Sequence, residues 1–335
     1  MIFCKSFGVS GDLRPLSPKG RPKGLIEMDR ETESKNLRLA LFTASWWKLD
    51  GVTLTLRKLV SLLRRRGVTF RIYTTDASRE CFICQEEEEE EDDVEICLVD
   101  SIDVPFWSNM QGYKMGSPMS KRVRRDLERF RPNLIHVSIP DLLGRDAVYY
   151  GNKHGIPVIA TYHSNYYEYM YKVFPYPLNR FIGECCRLYL LNIYTQIETT
   201  YVPTSFTKKK LIQDGFHIDG VNTLKIWGRG IDTQVFYPLE EDSLRSKFRC
   251  TQGISLDAIV VLWVGRVVKE KGIDLWLRCV KRLKARFPNV VGIVVGGDRM
   301  SSSIFKPYSS FVKCIGWIGE HEKLRVVYVV LEREA

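Results

Sequence analysis

One short turn in the last third of the chain contains the cations Arg266 and Lys271. Arg266 and Lys271 stand five positions apart in VLWVGRVVKEKGIDLWL (residues 261–277), where an apolar run ends and a second apolar periodicity begins after Gly272. Arginine offers a planar fork of donors and lysine a mobile point charge, so the pair suits a diphosphate better than a single carboxylate. From spacing alone, a solvated loop remains the alternative interpretation.

Parallel strands and the start of a helix would position this turn. The carboxyl ends of parallel strands face the helix starts and form the crevice where ligands bind, and helix N-termini favour phosphate. The run AIVVLWV before the turn is typical of such a strand, and VVGIVV and FVKCIG predict two more. One helical face follows the turn: Ile273, Trp276, Val280, Leu283 and Phe287. A second α/β unit is therefore predicted to begin at Ala258.

The middle of the chain predicts a larger unit of the same kind. LRLALFT (37–43) is typical of a buried parallel strand, and apolar residues then recur at helical spacing up to Gly67. VTFRIYTTD, NLIHVS and PVIATY predict further strands with helical segments between them. Repeated strand, helix, strand units indicate an α/β fold with a doubly wound sheet.

Composition divides the chain into four segments. Residues 1–36 are rich in Gly, Pro and charge and are predicted to be a disordered leader, with a transit peptide as the alternative. Residues 37–237 form the predicted N-terminal domain, 238–257 a linker, and 258–335 the second domain. The acidic run Glu86 to Asp93 is interpreted as a solvated loop without chemistry.

The net charge of +10 favours anionic partners, which include nucleic acid, a membrane surface and phosphorylated small molecules. No apolar stretch reaches the roughly 18 residues of a spanning helix, so we expect a cytoplasmic protein or one peripheral to a membrane. Nine cysteines, an odd number, fit buried thiols in a reducing compartment. Cys81 and Cys84 have half of a zinc spacing but lack a second pair, so no metal site is predicted.

Four segments, in order, resemble glycosyltransferase family 4. GRVVKEKGIDLWL resembles its GR…EKG…D…L signature, and LRLALFTASWWKLDGVTLTLRKLVSLL resembles its first strand, glycine loop and helix. FRPNLIHVSIPDLLGRDAVYYGNKHGIPVIATYHSNYYEYM is similar to its middle strands. LKIWGRGIDTQVFYP is similar to its GVD turn, in the WGRGVD form of sulfoquinovosyltransferase-like members and some α-mannosyltransferases. The resemblance covers roughly residues 37–325.

The resemblance implies a GT-B fold, two Rossmann-like domains facing a cleft, and transfer of a sugar from a nucleotide-sugar donor with retention of anomeric configuration. It assigns Arg266 and Lys271 to the donor diphosphate, where fixed cations stabilise the negative charge that develops on the leaving group. A metal is then not required, and no Asp-x-Asp motif is present. We therefore expect no cofactor, with the nucleotide-sugar as substrate.

Two more residues match family positions. Gly51 matches the glycine of the first loop, where a missing side chain lets the backbone approach the donor phosphates; a plain loop-to-helix glycine is the alternative. His163 follows the strand PVIATY and matches a histidine that contacts the donor sugar near the reacting centre. His136, inside NLIHVS, is instead predicted to be a core residue.

Two features bear on the acceptor. Seven aromatic residues between 162 and 176 would line an acceptor groove or serve as core and rim packing. Cations on the helix after Gly51 and within Lys121–Arg131 would dock on anionic lipid, the alternative being solvated helix faces. A lipid acceptor follows if docking holds, and a plastid location if the protein is sulfolipid-related. The donor is left open between UDP- and GDP-sugars.

The end of the chain departs from the family pattern. The family continues with a serine-rich turn and a Glu-x7-Glu segment, and no glutamate pair at that spacing follows residue 300 here. The resemblance thus implies an incomplete second domain, and we expect weak or no activity. The alternatives are a non-catalytic interaction protein on the same scaffold and a basic nucleic-acid binder, although no ordered nucleic-acid motif is present. A dehydrogenase is disfavoured because no G-x-G-x-x-G follows the first strand.

Overall fold

The computed structural model describes residues 36–47, 50–75, 95–103, 114–230, 242–267, 271–296 and 302–316. The chain divides into two units, Met1–Arg229 and Gly230–Ala335. Each unit contains a parallel sheet with helices, as the apolar runs predict. The predicted loop insertion at Glu86–Asp93, the Cys81–Cys84 pair and most of the predicted leader lie outside the described residues.

The first unit is built on a seven-stranded sheet in which every neighbouring pair is parallel. Its spatial order is β3-β2-β1-β6-β7-β8-β9. A short antiparallel pair, β4 and β5, forms a separate two-stranded sheet. The strands are β1 (Arg38–Phe42), β2 (Thr69–Thr75), β3 (Ile96–Val99), β4 (Ser101–Asp103), β5 (Lys114–Gly116), β6 (Leu134–Val137), β7 (Val158–Thr161), β8 (Thr199–Val202) and β9 (Thr223–Ile226).

Helices cover both faces of this sheet because alternate strand residues point to opposite sides. The helices are α1 (Gly51–Arg65), α2 (Lys121–Phe130), α3 (Leu142–His154), α4 (Tyr166–Val173), α5 (Leu178–Tyr194) and α6 (Ser205–Gln213). Leu41 of β1 belongs to the buried cluster that includes α1, whereas its neighbours Ala40 and Phe42 belong to the cluster that includes α2, α3 and α5. The sheet is therefore doubly wound, as predicted.

The strand order places a crevice at the carboxyl edge of the sheet. β1 pairs with β2 on one side and with β6 on the other, so the connections after β1 and β6 leave in opposite directions. Ligands of open α/β sheets bind at this kind of switch point. The segments after β1, β6, β7 and β9 therefore border the crevice where a ligand would bind.

The second unit has a three-stranded parallel sheet of order β10-β11-β12. Its elements are α7 (Asp242–Thr251), β10 (Ile259–Val264), α8 (Ile273–Arg286), β11 (Val290–Val295), α9 (Ser302–Phe305), a 3-10 turn (Lys306–Tyr308) and β12 (Val312–Gly316). Helix α7 lies within the segment interpreted as a linker. It is anchored by the buried Arg249, whose Nη1 donates to the carbonyls of Ser255, Leu256 and Ala258 at 2.9 to 3.1 Å.

Two further expectations are tested by burial. His136 is 2% exposed in β6, which confirms it as a core residue, and its Nε2 lies 2.8 Å from Thr161 Oγ1. Six cysteines lie in the described residues without a disulfide, but Cys250, Cys279 and Cys314 are exposed, so the expectation of burial is wrong for these three. Within the described part of the chain, none of the helices has the length and apolar character needed to cross a membrane.

Candidate functional site

Gly51 begins α1 at the carboxyl edge of the first sheet. The helix is capped by Asp50, whose carboxylate accepts from the amides of Val52 and Thr53, both at 2.9 Å. A methyl group placed on Gly51 would meet only Arg229 Nη1, at 3.8 Å, which is ordinary contact. The local fold therefore does not require glycine here, and a missing side chain matters only if a ligand occupies the space.

This geometry makes Gly51→Ala a separable test. We expect the free energy of unfolding to change by less than about 1 kcal/mol, because alanine suits a helix at least as well as glycine. A methyl group intruding on a bound phosphate should weaken donor binding by about tenfold, as overpacking does elsewhere. Calorimetric titration with nucleotide-sugars checks the affinity.

The matched control is Gly67→Ala at the other end of α1. Gly67 has φ +66°, so alanine there is strained although the space around it is open. Gly67→Ala should lower stability and leave donor affinity unchanged. An unchanged affinity in Gly51→Ala would make Gly51 a plain loop-to-helix glycine.

His163 lies two residues past β7, at the same edge of the sheet. Its Nδ1 is 2.8 Å from Nη2 of Arg229, which follows β9. A guanidinium only donates hydrogen bonds, so Nδ1 must accept and the ring proton must sit on Nε2. The Nε2 atom is buried and has no hydrogen-bond partner among the described residues. The structure thus holds an oriented N–H donor at the carboxyl edge.

His163 is neutral across the ordinary pH range. Burial lowers its pKa to about 3, and the positive charge of Arg229 acts in the same direction. The neutral ring donates a hydrogen bond from Nε2 and keeps its proton near neutral pH. It can polarise an oxygen of a ligand, but it does not carry a mobile proton near neutral pH.

Arg229 is the site residue that the sequence interpretation did not single out. Its guanidinium lies between two residues that were predicted, since Nη2 contacts His163 and Nη1 faces the space beside Gly51. The signal was present in the quoted turn WGRGID, where Arg229 stands between two glycines. The structure brings Gly51, His163 and Arg229 together in the first unit.

Asp141 lies in the segment after β6, directly before α3, where it holds the backbone in place. Its carboxylate accepts from the amides of Gly144 at 2.8 Å and Gly116 at 2.6 Å, and so caps α3 and ties it to β5. Burial raises the pKa of Asp141 to about 6 against the opposing effect of these two hydrogen bonds. Because both oxygens already have backbone partners, we assign Asp141 to the framework of the site.

A cavity of about 340 Å³ opens beside His163, between the segment after β7 and the start of α6. Its polar lining includes Ser164, Asn165 and Thr207, and the ion pair of Glu168 with Lys210, at 2.8 Å, stands at its wall. Hydroxyl, amide and charged groups around a small cavity suit a ligand rich in hydroxyl groups.

The predicted diphosphate-binding residues lie in the second unit. Arg266 follows β10 by two residues and Lys271 directly precedes Gly272, the N-cap of α8, so both stand at the carboxyl edge of the second sheet as predicted. Both residues are exposed. The backbone next to Arg266 packs closely on the residue that follows β11, because a methyl group on Gly296 would meet the carbonyl oxygen of Gly265 at 2.3 Å.

The aromatic segment contributes mainly to packing. Tyr162 and Tyr167 are buried in the main core, where both rings contact Phe216. Tyr166 and Tyr171 pack against the same core, whereas Tyr176 is 76% exposed. Core packing is therefore the better interpretation for most of these residues, and Tyr162 also borders the cavity beside His163.

The two basic helices do not form one surface. Helix α1 and helix α2 pack in separate core clusters on opposite faces of the sheet. A single lipid surface therefore cannot contact the sides of both helices at once.

Among the described residues, no group of three or more His, Cys, Asp and Glu could hold a metal ion.

Comparisons with known proteins bear on the family and the fold of the chain. The model of Glycosyltransferase Family 4 matches residues 49–235. The sulfoquinovosyl transferase SQD2 of Arabidopsis thaliana is 24% identical over 257 residues, 74% of this chain and 45% of that protein. A GDP-mannose-dependent alpha-mannosyltransferase of Corynebacterium glutamicum is 23% identical over 297 residues, 88% of this chain and 65% of that protein. The alpha-monoglucosyldiacylglycerol synthase of Acholeplasma laidlawii is 24% identical over 237 residues, 66% of this chain and 58% of that protein.

A solved structure supports the fold. The glycosyltransferase of Rickettsia africae ESF-5 aligns with a TM-score of 0.60 at 13% identity, over 88% of this chain and 71% of that one. The α/β, GT-B fold class is therefore confirmed. The family match spans more than half of the residues, so the chain belongs to Glycosyltransferase Family 4. It spans between 45% and 65% of the length of the curated relatives it matches.

Proposed function

We propose that the protein transfers a glycosyl group from a nucleotide-sugar to an acceptor hydroxyl. In this reaction the bond between the anomeric carbon and the diphosphate oxygen breaks, and a bond from that carbon to the acceptor oxygen forms. The nucleoside diphosphate leaves with the bonding electrons, and the acceptor hydroxyl loses its proton. Family membership supports the reaction class, and the site residues support its mechanism.

The observation that carries the proposal is the group formed by Gly51, His163 and Arg229. A helix start with an open glycine, a fixed N–H donor and a guanidinium meet at the carboxyl edge of a parallel sheet. Helix starts and guanidinium groups both attract phosphate, and an N–H donor suits a sugar oxygen. This combination fits a ligand that joins a phosphate to a sugar.

Arg266 and Lys271 have the role of stabilising the leaving group. Negative charge grows on the diphosphate as the bond to the anomeric carbon breaks, and cations fixed before the reaction stabilise that charge without reorganisation. Their exposed positions beside the start of α8 are compatible with a diphosphate ligand. With two cations in this role, the proposed transfer needs no metal ion.

The finer assignments extend the proposal. Retention of anomeric configuration follows from the resemblance to the family. A UDP- or GDP-sugar is the proposed donor, and a lipid is the proposed acceptor. The lipid is supported by one relative, which is named as a synthase of alpha-monoglucosyldiacylglycerol. A lipid acceptor places the protein at a membrane surface, and a sulfolipid role would place it in a plastid.

A radiolabelled transfer assay tests the proposal. The full chain is incubated with UDP-glucose, UDP-sulfoquinovose or GDP-mannose and mixed vesicles containing diacylglycerol, with and without EDTA. We expect label in the lipid fraction with one donor, at a low rate that EDTA does not change. Absence of both transfer and nucleotide-sugar binding would overturn the proposed function, and a rate abolished by EDTA would overturn metal independence alone.

A further inference from the structure

Helix α5 has apolar residues on two faces. Leu190, Ile193 and Tyr194 are at most 2% exposed and pack in the main core. On its other side Leu178, Phe181 and Leu188 are 47%, 54% and 52% exposed. A helix that is apolar on both sides normally has a partner on both sides, so the outer side calls for one.

The exposed residues lie along one line of the helix. At about 100° per residue, positions 178, 181 and 188 fall within a sector of about 80°, roughly opposite the buried positions. Cys185 lies in the same sector and is half-buried. Tyr176, 76% exposed, lies two residues before the helix. We call Tyr176, Leu178, Phe181 and Leu188 the apolar stripe.

The charge beside the apolar stripe is positive. Lys172 and Arg180 are both exposed and stand near its beginning. Glu184 is the acidic residue of the segment 172–188, and it is already bound to Arg187 and to the hydroxyl of Tyr171. Exposed tyrosine, phenylalanine and leucine beside lysine and arginine is the composition of a surface that contacts lipid headgroups and the upper part of acyl chains.

The position of α5 relates the apolar stripe to the transfer site. The end of α5 lies at the amino edge of the sheet, where Asn222, just before β9, donates to the carbonyl of Tyr194. The helix has 17 residues and β8 has four. These lengths correspond to about 26 Å and about 13 Å, so the first half of α5 reaches the level of the carboxyl edge and beyond it. That is the edge where His163 lies.

We propose that the apolar stripe is a membrane-contact surface, inserted shallowly into a bilayer whose anionic headgroups bind Lys172 and Arg180. Its contact with the bilayer stands on exposure, spacing and charge. Its use, the presentation of a lipid-anchored acceptor to the edge that carries His163, rests on the proposed function. The bilayer is favoured over a second copy of the chain because the flanking cations of two copies would repel each other.

Vesicle sedimentation of the full chain tests this surface. The probes are vesicles of phosphatidylcholine alone and vesicles of equal parts phosphatidylcholine and phosphatidylglycerol. We expect sedimentation with the anionic vesicles, and on the order of tenfold weaker binding when Leu178→Ser and Phe181→Ser are combined, because each exposed apolar side chain contributes partition free energy. The charge variant, Lys172→Gln with Arg180→Gln, should lose most of the preference for anionic vesicles.

The matched control is Leu275→Ser. Leu275 is 58% exposed on α8, close to the exposure of Phe181, but it lies outside the apolar stripe and outside the basic helices. This variant should bind vesicles like the unaltered chain. Equal binding of the stripe variant and the unaltered chain would overturn the proposal, and so would a failure of the unaltered chain to bind anionic vesicles.

Light scattering separates the remaining alternative. If the stripe variant changed the oligomeric state and not vesicle binding, the apolar stripe would be a contact between copies, and the membrane proposal would be wrong. Sedimentation requires neither a donor nor turnover. Failure of vesicle binding therefore leaves the transfer proposal standing, and failure of transfer leaves the membrane surface standing.

Discussion

Replacing Arg266 by alanine is expected to lower kcat for glycosyl transfer by about 10²–10³-fold, the loss seen when one fixed donor to a developing negative charge is removed. The charge on the leaving diphosphate is larger in the transition state than in the bound donor. The effect should therefore fall mainly on kcat, with a smaller change in KM. Lys271→Ala should act in the same direction. Steady-state rates with the donor identified by the transfer assay measure both effects.

Conservative replacement sharpens this prediction. Arg266→Lys keeps the charge but loses the planar fork of donors. If Arg266 holds the diphosphate through two hydrogen bonds, kcat of the Arg266→Lys variant should be well below that of the unaltered chain. Lys281→Ala removes an exposed cation from the outer part of α8 and should leave the rate unchanged. If Arg266→Ala and Lys281→Ala had equal rates, Arg266 would be a solvated loop residue and the leaving-group assignment would be wrong.

The two sheets were predictable because buried parallel strands are written as continuous apolar runs. LRLALFT corresponds to β1 and VVGIVV to β11, and in both cases burial on two faces requires a nearly continuous apolar run. The strands β4 and β5 were not predicted. Each has three residues, and segments as short as SID and KMG carry no periodicity that could be recognised.

The candidate site was predictable in part, for a different reason. Gly51, His163, Arg266 and Lys271 each stand next to a strand or helix end, and such positions can be located once the elements are predicted. The contact of Arg229 with His163 joins residues 66 positions apart, and nothing local to either segment indicates it. The opposite placement of α1 and α2 likewise depends on which face of β1 each helix covers, which charge counting does not reveal.

The other large effect is expected at His163. His163→Ala removes the Nε2–H donor and should lower kcat by about 100-fold, within the range for a single preorganised donor. Because the pKa of His163 is lowered to about 3, the unaltered chain should show no change in rate from the titration of this residue between pH 5 and 9. Rates measured across that range, with the His163→Ala variant as reference, check both statements.

Arg229→Met should raise the pKa of His163 and so change the pH dependence of the rate. The arginine is one cause of the lowered pKa, so its removal should raise the pKa of His163 from about 3 towards the usual 6.5, with burial still holding it below that value. The ring would then become protonated as the pH falls, and the rate should acquire an acid limb that the unaltered chain lacks. The free Nδ1 would also allow the other tautomer, which the ¹⁵N chemical shifts of the ring would report.

The same shift affects stability. In the unfolded chain His163 takes up a proton near pH 6.5, whereas in the folded chain it does so only near pH 3. The contribution of His163 to stability is therefore complete above pH 6.5 and is lost progressively as the pH falls towards 3. Arg229→Met should narrow that window, whereas a purely structural Arg229 would change stability at every pH alike. If Arg229→Met left both the ring tautomer and the pH profile of the rate unchanged, the hydrogen bond from Arg229 would not position His163, and the positioning role of Arg229 would be wrong.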